Sequence, residues 1–128
     1  MKTKDFIRQQ WVKDELKSRL HYDPETGDLT WKARGIPWFD KRFEGKTTGQ
    51  RWLDSYGYKQ AKTALEVKGK KFSVVTSRLC WLIQTGDWPE HTIDHINRDP
   101  WDNRWENLRD IPQSENNKNK SEVYKKRS

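Results

Sequence analysis

Eight tryptophans limit what this sequence can fold into, because other apolar residues are scarce. Only 31% of the 128 residues are hydrophobic and 35% are charged, which allows one modest core and no more. Each indole ring buries a large apolar area, so the tryptophans are expected to supply much of the buried surface. The sequence therefore predicts one compact domain, or a small module with an N-terminal extension.

The formal net charge of +7 favours a polyanionic partner, since each phosphate neutralised by Lys or Arg releases counterions. Nucleic acid is the leading candidate, and lysines that merely solvate the surface are the alternative. Cys80 is the only cysteine, which excludes an internal disulfide and a four-cysteine zinc site. The sequence shows neither a membrane span nor a secretory signal, so we expect a cytoplasmic protein without a membrane partner.

The first part of the chain predicts a helix followed by a hairpin. Apolar residues recur among charged ones over residues 5–20, which indicates an amphipathic helix. Pro24 and Gly27 flank a turn, and the residues after it alternate as on a strand, so residues 22–31 are expected to form a β-hairpin. The basic segment 32–50 has no sustained period and is expected to be an irregular loop.

A second hairpin is predicted over residues 56–75, with its turn at Gly69. It is rich in lysines, and four of them are candidate contacts for DNA phosphates: Lys59, Lys62, Lys68 and Lys70. Residues 76–86 then predict a short buried helix that ends at Gly86.

Asn and Asp become dense between residues 92 and 119, which is where we expect the chemistry. Three elements follow one another closely: Asp94-His95-Ile96-Asn97, then Asp102-Asn103-Arg104 with Asn107-Leu108-Arg109, then Asn116-Asn117-Lys118-Asn119. In this order and spacing they resemble the HNH endonuclease family. The upstream pieces Tyr-Asp-Pro-Glu-Thr-Gly, Arg-Leu-Cys-Trp-Leu and Gly-Asp-Trp-Pro resemble the N-terminal part of phage-type and homing-type members.

The resemblance implies an α+β protein that ends in a ββα-metal (His-Me finger) module. An N-terminal helix and β-hairpins are expected to form a basic DNA-binding region over residues 1–87. The nuclease module is expected over residues 88–120, followed by a basic tail over 121–128.

Hydrolysis of a phosphodiester needs a nucleophile, a Lewis acid and a positioned phosphate. Neutral His95 can accept a proton from water near pH 7, so it is the candidate general base. The resemblance implies that Asp94 and Asn116 hold one divalent metal ion, with Mg²⁺ as the first choice and Mn²⁺ as the second. It also implies that Asn107 orients the His95 ring through its side-chain amide.

Two local constraints follow from these assignments. Asp94 and His95 are neighbours and point to opposite faces of an ideal strand, so the strand must bend or end there. Asp110, with Gln113 three residues later, predicts the cap of a helix that carries Asn116 in its early turns.

The remaining polar residues of this segment have open or structural roles. Arg109 is a candidate for DNA binding, and contact with a phosphate or pairing with an acid are equally plausible for it. Lys118 is a further DNA-binding candidate, with a solvated surface position as the alternative. Asn103 and Arg104 are expected to shape the loop and not to touch the metal.

The function predicted on this basis is metal-dependent cleavage of double-stranded DNA by a phage-type or homing-type endonuclease, including a nicking enzyme. A catalytically inactive DNA-binding module is the alternative from a different class. An RNA-cleaving enzyme with similar chemistry is a third hypothesis, and the sequence leaves open whether the protein is a monomer or a dimer.

Overall fold

The computed structural model describes residues 2–112 and 114, which form a mixed architecture of helices and antiparallel sheets. In chain order the elements are α1 (Thr3–Phe6), α2 (Gln10–Arg19), β1 (Leu20–Tyr22), β2 (Leu29–Trp31), α3 (Pro37–Phe43), β3 (Gln50–Leu53), β4 (Lys59–Val67), β5 (Lys70–Val75), α4 (Thr76–Thr85), β6 (Thr92–His95) and β7 (Leu108–Ile111). The predicted α+β class is confirmed. No helix in the described part of the chain has the length and apolar character needed to cross a membrane.

The predicted N-terminal helix is split into α1 and α2. Gln9 between them has an extended backbone, with φ −65° and ψ 137°. The Trp88 indole donates to the Ile7 carbonyl at 2.8 Å, and the Phe6 ring packs edge-on against Trp11. Side chains at i and i+5 lie on different faces of a continuous helix, so the break allows these two rings to meet.

The segment after the β1–β2 hairpin was predicted to be an irregular loop, and this prediction is wrong for α3. Pro37 lies in its first turn, where a missing N–H costs nothing. Phe39 and Phe43, at i,i+4 spacing, lie 4.8 Å apart between ring centroids, and both rings contact Trp31. With 7 residues, α3 is too short for its period to stand out in the sequence.

Strands β3, β4 and β5 form a three-stranded antiparallel sheet in that order. Along β4, Thr63, Leu65 and Val67 are buried, whereas the residues between them are exposed. This alternation is typical of a sheet with one face on the core and the other in solvent. The predicted hairpin over residues 56–75 is confirmed, and β3 adds a strand that the sequence did not predict.

Helix α4 lies at the centre of the core. Leu79, Cys80 and Leu82 have 0% exposure, and Gly86 ends the helix with a left-handed backbone at φ 94°. Both the helix and its glycine stop were predicted from the sequence, and both are confirmed.

The fully buried core consists mainly of aliphatic side chains, and none of the tryptophans is fully buried. Four tryptophans are partly buried and pack around the outside of this core: Trp31, Trp81, Trp88 and Trp105. Leu108 from the last hairpin belongs to the same cluster as Val12 from α2. One hydrophobic core therefore spans the boundary predicted between residues 87 and 88.

Strands β6 and β7 pair as an antiparallel hairpin. Asp110 lies within β7, so its prediction as a helix cap is wrong. Its carboxylate accepts the backbone N–H groups of Glu90 at 2.6 Å and His91 at 2.8 Å. These two hydrogen bonds connect β7 to the residues that precede β6. They hold Asp110 in the strand, which continues to Ile111.

Candidate active site

The β6–β7 hairpin places Asp94 and His95 at the end of a strand. Asp94 lies opposite Arg109, and His95 lies opposite Leu108. Directly afterwards the chain turns, because the His95 carbonyl accepts the N–H of Arg98 at 2.8 Å and Arg98 has a φ of 64°. The strand therefore ends where the sequence requires it to end.

The Asp94 carboxylate is buried and bonded to a guanidinium group. Its Oδ2 atom accepts from Nε of Arg109 at 2.7 Å, and the side chains are 8% and 45% exposed respectively. A carboxylate removed from water to this degree needs a positive partner, and Arg109 supplies it. Of the two roles left open for Arg109, the structure contains the pairing with an acid.

The His95 ring is held by Asn103. Its Nε2 atom lies 2.9 Å from Oδ1 of Asn103, which is a buried residue. Burial lowers the pKa of His95, while the hydrogen bond to Oδ1 of Asn103 and the nearby charge of Asp94 act in the opposite direction. The lowered pKa favours the neutral imidazole, which is the form that can accept a proton.

The Asn107 side chain closes the loop between β6 and β7. Its Oδ1 accepts the N–H of Asn97 at 2.9 Å, and its Nδ2 donates to Oδ1 of Asn97 at 2.9 Å and to the Asp102 carbonyl at 2.8 Å. The bond to His95 that the resemblance implied for Asn107 is made by Asn103 instead. Asn107 faces the inside of the loop, so groups of the loop satisfy its amide.

Arg104 shapes the same loop, as the sequence predicted. Its Nε and one terminal nitrogen donate to the two carboxylate oxygens of Asp102, at 2.9 Å and 2.8 Å. Hydrogen bonding by Arg104 lowers the pKa of Asp102 to about 2, so this carboxylate stays ionised at neutral pH. Asn97 also donates to it at 2.8 Å, which ties both ends of the loop together.

Residues 74–118 match a family model described as HNH endonuclease. The matched segment begins at the end of β5, contains α4 and the β6–β7 hairpin, and includes Asp94, His95, Asn103 and Asn107. This segment is similar to the HNH endonuclease family. It starts before the module boundary that the sequence predicted at residue 88, and it therefore takes in the central helix of the core.

The fold is also similar to a solved structure that describes DNA binding and cleavage by the HNH homing endonuclease I-HmuI. The two chains are 22% identical with a TM-score of 0.53, and the match covers 82% of this chain and 53% of the other. The chain thus spans about half the length of that endonuclease, and the likeness is one of fold. Comparison with curated proteins gives no match.

Of the two ligands predicted for a hard metal ion, the described part of the chain contains Asp94. Within residues 2–112 and 114, no three His, Cys, Asp or Glu side chains lie together as metal ligands. Asp94 offers a buried carboxylate that already faces a positive charge, and Asn116, the second predicted ligand, lies outside the described residues. A carboxylate and an amide oxygen are suitable ligands for Mg²⁺, which retains several waters. Lys118 also lies outside the described residues.

The four candidate lysines of the second hairpin do not share one surface. Lys59 lies beside the loop between β6 and β7, residues 96–107, which we call the HNH loop. There it pairs with Asp99 at 3.1 Å. Lys68 and Lys70 lie over aromatic rings at the other end of the hairpin, close to α1 and α2. Lys62 lies on the solvent face of β4.

Lys62 lies in a groove of about 660 Å³ between α3 and the solvent face of the sheet. Two further cations, Arg42 and Lys46, line this groove together with the rings of Trp31 and Trp52. The sequence predicted a basic, irregular loop here, without the helix that places Arg42 and Lys46 in the groove. The contact of Asn103 with His95 was not predicted, although Asn103 lies within the motif.

Proposed function

We propose that this chain is a metal-dependent endonuclease that hydrolyses phosphodiester bonds in double-stranded DNA. The observation that carries the proposal is the Asp94–His95 pair at the end of β6, inside a segment of the HNH endonuclease family. The net charge of +7 supports a polyanionic substrate. The fold match to a homing endonuclease that binds and cleaves DNA supports a homing-type or phage-type nicking enzyme.

His95 is the proposed general base. Its neutral ring takes a proton from water, the water oxygen bonds to phosphorus, and the bond from phosphorus to the 3′ oxygen breaks. The departing 3′ oxygen then takes up a proton. A positioned general base contributes about 10²–10⁴-fold to the rate of such a reaction.

Asp94 and Asn116 are the proposed ligands of one divalent ion, Mg²⁺ or Mn²⁺. When bound, this ion supplies a Lewis acid that stabilises charge on the phosphate and on the leaving oxygen. Arg109 bonds Asp94 through Nε, so its terminal nitrogens remain to donate to a phosphate. Lys118 is proposed as a second phosphate contact.

The surface proposed for the DNA backbone extends from the HNH loop to the groove beside α3. Lys59 lies next to the loop, and Lys62 lies in the groove with Arg42 and Lys46. Lysine contacts of this kind bind phosphates and fix the register of the protein on the duplex without reading its sequence. Lys68 and Lys70 lie at the other end of this hairpin, over the rings of Trp11 and Phe6, and are proposed as separate phosphate contacts.

The test is conversion of supercoiled plasmid to nicked or linear DNA by the wild type, His95→Ala and His21→Ala. His21 is an exposed histidine in β1, so it controls for the loss of an imidazole. Each protein is assayed with Mg²⁺, Mn²⁺ or EDTA. We expect cleavage by the wild type and His21→Ala with metal only, and a loss of about 10²–10⁴-fold in His95→Ala.

Three results contradict the proposal. Equal cleavage by the wild type and His95→Ala excludes His95 as the base. DNA binding with a steep salt dependence, but without cleavage under any condition, favours the inactive binding module. Cleavage of RNA in preference to DNA of the same sequence favours an RNA-cleaving enzyme.

A further inference from the structure

We propose that Asn103 is a positioning residue that fixes the tautomer of His95, and that the β1–β2 hairpin holds Asn103 in place for this task. The inference rests on the proposed function only in taking His95 as the base. It assigns a role in the active site to a part of the chain that lies outside the HNH segment, residues 74–118.

The contact between the two side chains determines which ring nitrogen carries hydrogen. Nε2 of His95 lies 2.9 Å from Oδ1 of Asn103, and an amide oxygen only accepts hydrogen bonds. Nε2 must therefore be the donor, which leaves the lone pair on Nδ1. Among the described residues Nδ1 has no hydrogen-bond partner, so Nδ1 is the atom assigned to accept the proton of the attacking water.

Asn103 is itself fixed from the other side by β1. The Tyr22 hydroxyl donates to the Asn103 carbonyl at 2.5 Å in a buried position. Burial raises the pKa of Tyr22, so its hydroxyl remains a donor across the working pH range. Asn103 is 3% exposed, so solvent does not compete for its amide.

The turn of the same hairpin packs directly on the backbone of the HNH loop. A Cβ atom at Gly27, where φ is +82°, would lie 2.5 Å from N of Arg104 and 2.6 Å from C of Asn103. The N–H of Trp105 donates to the Pro24 carbonyl at 2.9 Å. Backbone therefore meets backbone at Asn103 and at the two residues that follow it, and the close approach admits only glycine at residue 27.

These contacts form one continuous path from β1 to the candidate base. Tyr22 and Gly27 fix the backbone at Asn103, the Asn103 amide fixes the ring of His95, and the ring presents Nδ1. A base held in the other tautomer would present an N–H to the water and could not accept its proton. The hairpin is thus a structural part of the active site.

The test is a long-range ¹H–¹⁵N spectrum of the histidine rings in the full-length chain, recorded without DNA at a pH where His95 is neutral. We expect the Nε2–H tautomer in the wild type. Asn103→Leu removes the acceptor and is expected to give a mixture of tautomers, whereas Asn103→Asp keeps an acceptor and the wild-type tautomer. Tyr22→Phe is expected to give a smaller shift toward the mixture, and Tyr56→Phe, at an 85% exposed tyrosine, is expected to give none.

The same variants are then assayed on plasmid. We expect kcat to fall about 10–100-fold in Asn103→Leu with KM unchanged, and to recover partly in Asn103→Asp. An Nδ1–H tautomer in the wild type overturns the proposal, and so does a folded Asn103→Leu variant with the wild-type spectrum. The wild-type measurement decides the tautomer even if a variant fails to fold. Fixed tautomers in a protein that cleaves no DNA refute the nuclease function and support the positioning role.

Discussion

The loop between β6 and β7 and the solvent face of the three-stranded sheet are both proposed to meet DNA, yet they hold their side chains differently. In the loop, Asp102, Asn103 and Asn107 each bond to another part of the chain. On the sheet face, the Lys62 side chain makes no hydrogen bond to the described residues, and the neighbouring Trp52 is 37% exposed. The side chains of the loop are therefore fixed before substrate arrives, whereas those of the sheet face can adjust to the substrate.

The difference follows from what each region has to do. Proton transfer and charge stabilisation require atoms within a few tenths of an ångström of the productive position, so their supports must be set in advance. Phosphate contacts act through charge over longer distances, and flexible lysines serve this purpose at many positions. Variants in the loop should therefore change kcat, and variants on the sheet face should change affinity.

The largest expected effect comes from Asp94→Asn. The amide keeps the shape of the carboxylate but removes the negative charge that faces Arg109 and the proposed metal ion. Loss of an outer-shell partner of a metal typically lowers activity about 10–100-fold. We expect Asp94→Asn to lower plasmid cleavage by more than this. Asp87→Asn, at an exposed acid that pairs with Lys13, is the matched control. Cleavage within twofold (about the assay error) of wild type in Asp94→Asn would refute the assignment.

Asn107→Ala should have the next largest effect. It removes three hydrogen bonds that close the loop, and each buried polar group left unpaired costs about 1–3 kcal/mol. We expect cleavage to fall about tenfold or more, since each 1.4 kcal/mol changes the ordered fraction about tenfold. Hydrogen exchange at the Asn97 amide should accelerate. Glu106→Ala, at an exposed neighbour, is the control, and an unchanged exchange rate in Asn107→Ala would contradict the role of Asn107.

Gly27→Ala and Gly57→Ala form a pair that isolates the contact of the hairpin with the loop. Both glycines have φ +82°, but a Cβ at Gly57 meets nothing within 4 Å. Gly57→Ala carries only the backbone cost, whereas Gly27→Ala also forces two backbone segments apart. We expect Gly27→Ala to lower the free energy of unfolding by about 1–3 kcal/mol more than its partner, measured by urea denaturation. Equal losses would mean that the close approach is unimportant.

The smallest effect is expected from Lys62→Ala. Loss of one phosphate contact should weaken DNA binding a few-fold and reduce the slope of log K against log salt by about 1. The kcat for plasmid cleavage should not change, because Lys62 is remote from the loop bonds. Lys4→Ala in α1 controls for the loss of one positive charge. A fall in kcat with unchanged DNA affinity in Lys62→Ala would contradict the proposal that the sheet face contributes only to binding.

Local signals in the sequence predicted those elements that local chemistry determines. Gly86 predicted the end of α4, and Gly69 predicted the turn between two strands. The motif that contains Asp94 and His95 predicted the segment that matches the HNH endonuclease model. Helix α3 was missed because its two turns carry too little periodicity. The position of the tryptophans around the core could not be predicted, because composition says which side chains are large and not which of them the core encloses.

The partner of His95 was missed for a different reason. The choice between Asn103 and Asn107 depends on how the loop sits against β1, and Tyr22 is 81 residues away from Asn103 in sequence. No spacing rule within the motif contains that information. Packing between distant segments selects which of two neighbouring asparagines faces the base.

The burial of Cys80 turns the only thiol into a reporter on the integrity of the whole molecule. Burial raises its pKa to about 12, and its side chain is enclosed by a core that includes residues from α2 and from β7. The reactive thiolate forms only when α4 is uncovered. The rate at which a thiol reagent labels the native protein therefore reports how often the core opens, and with it the packing that supports the candidate active site and the three-stranded sheet.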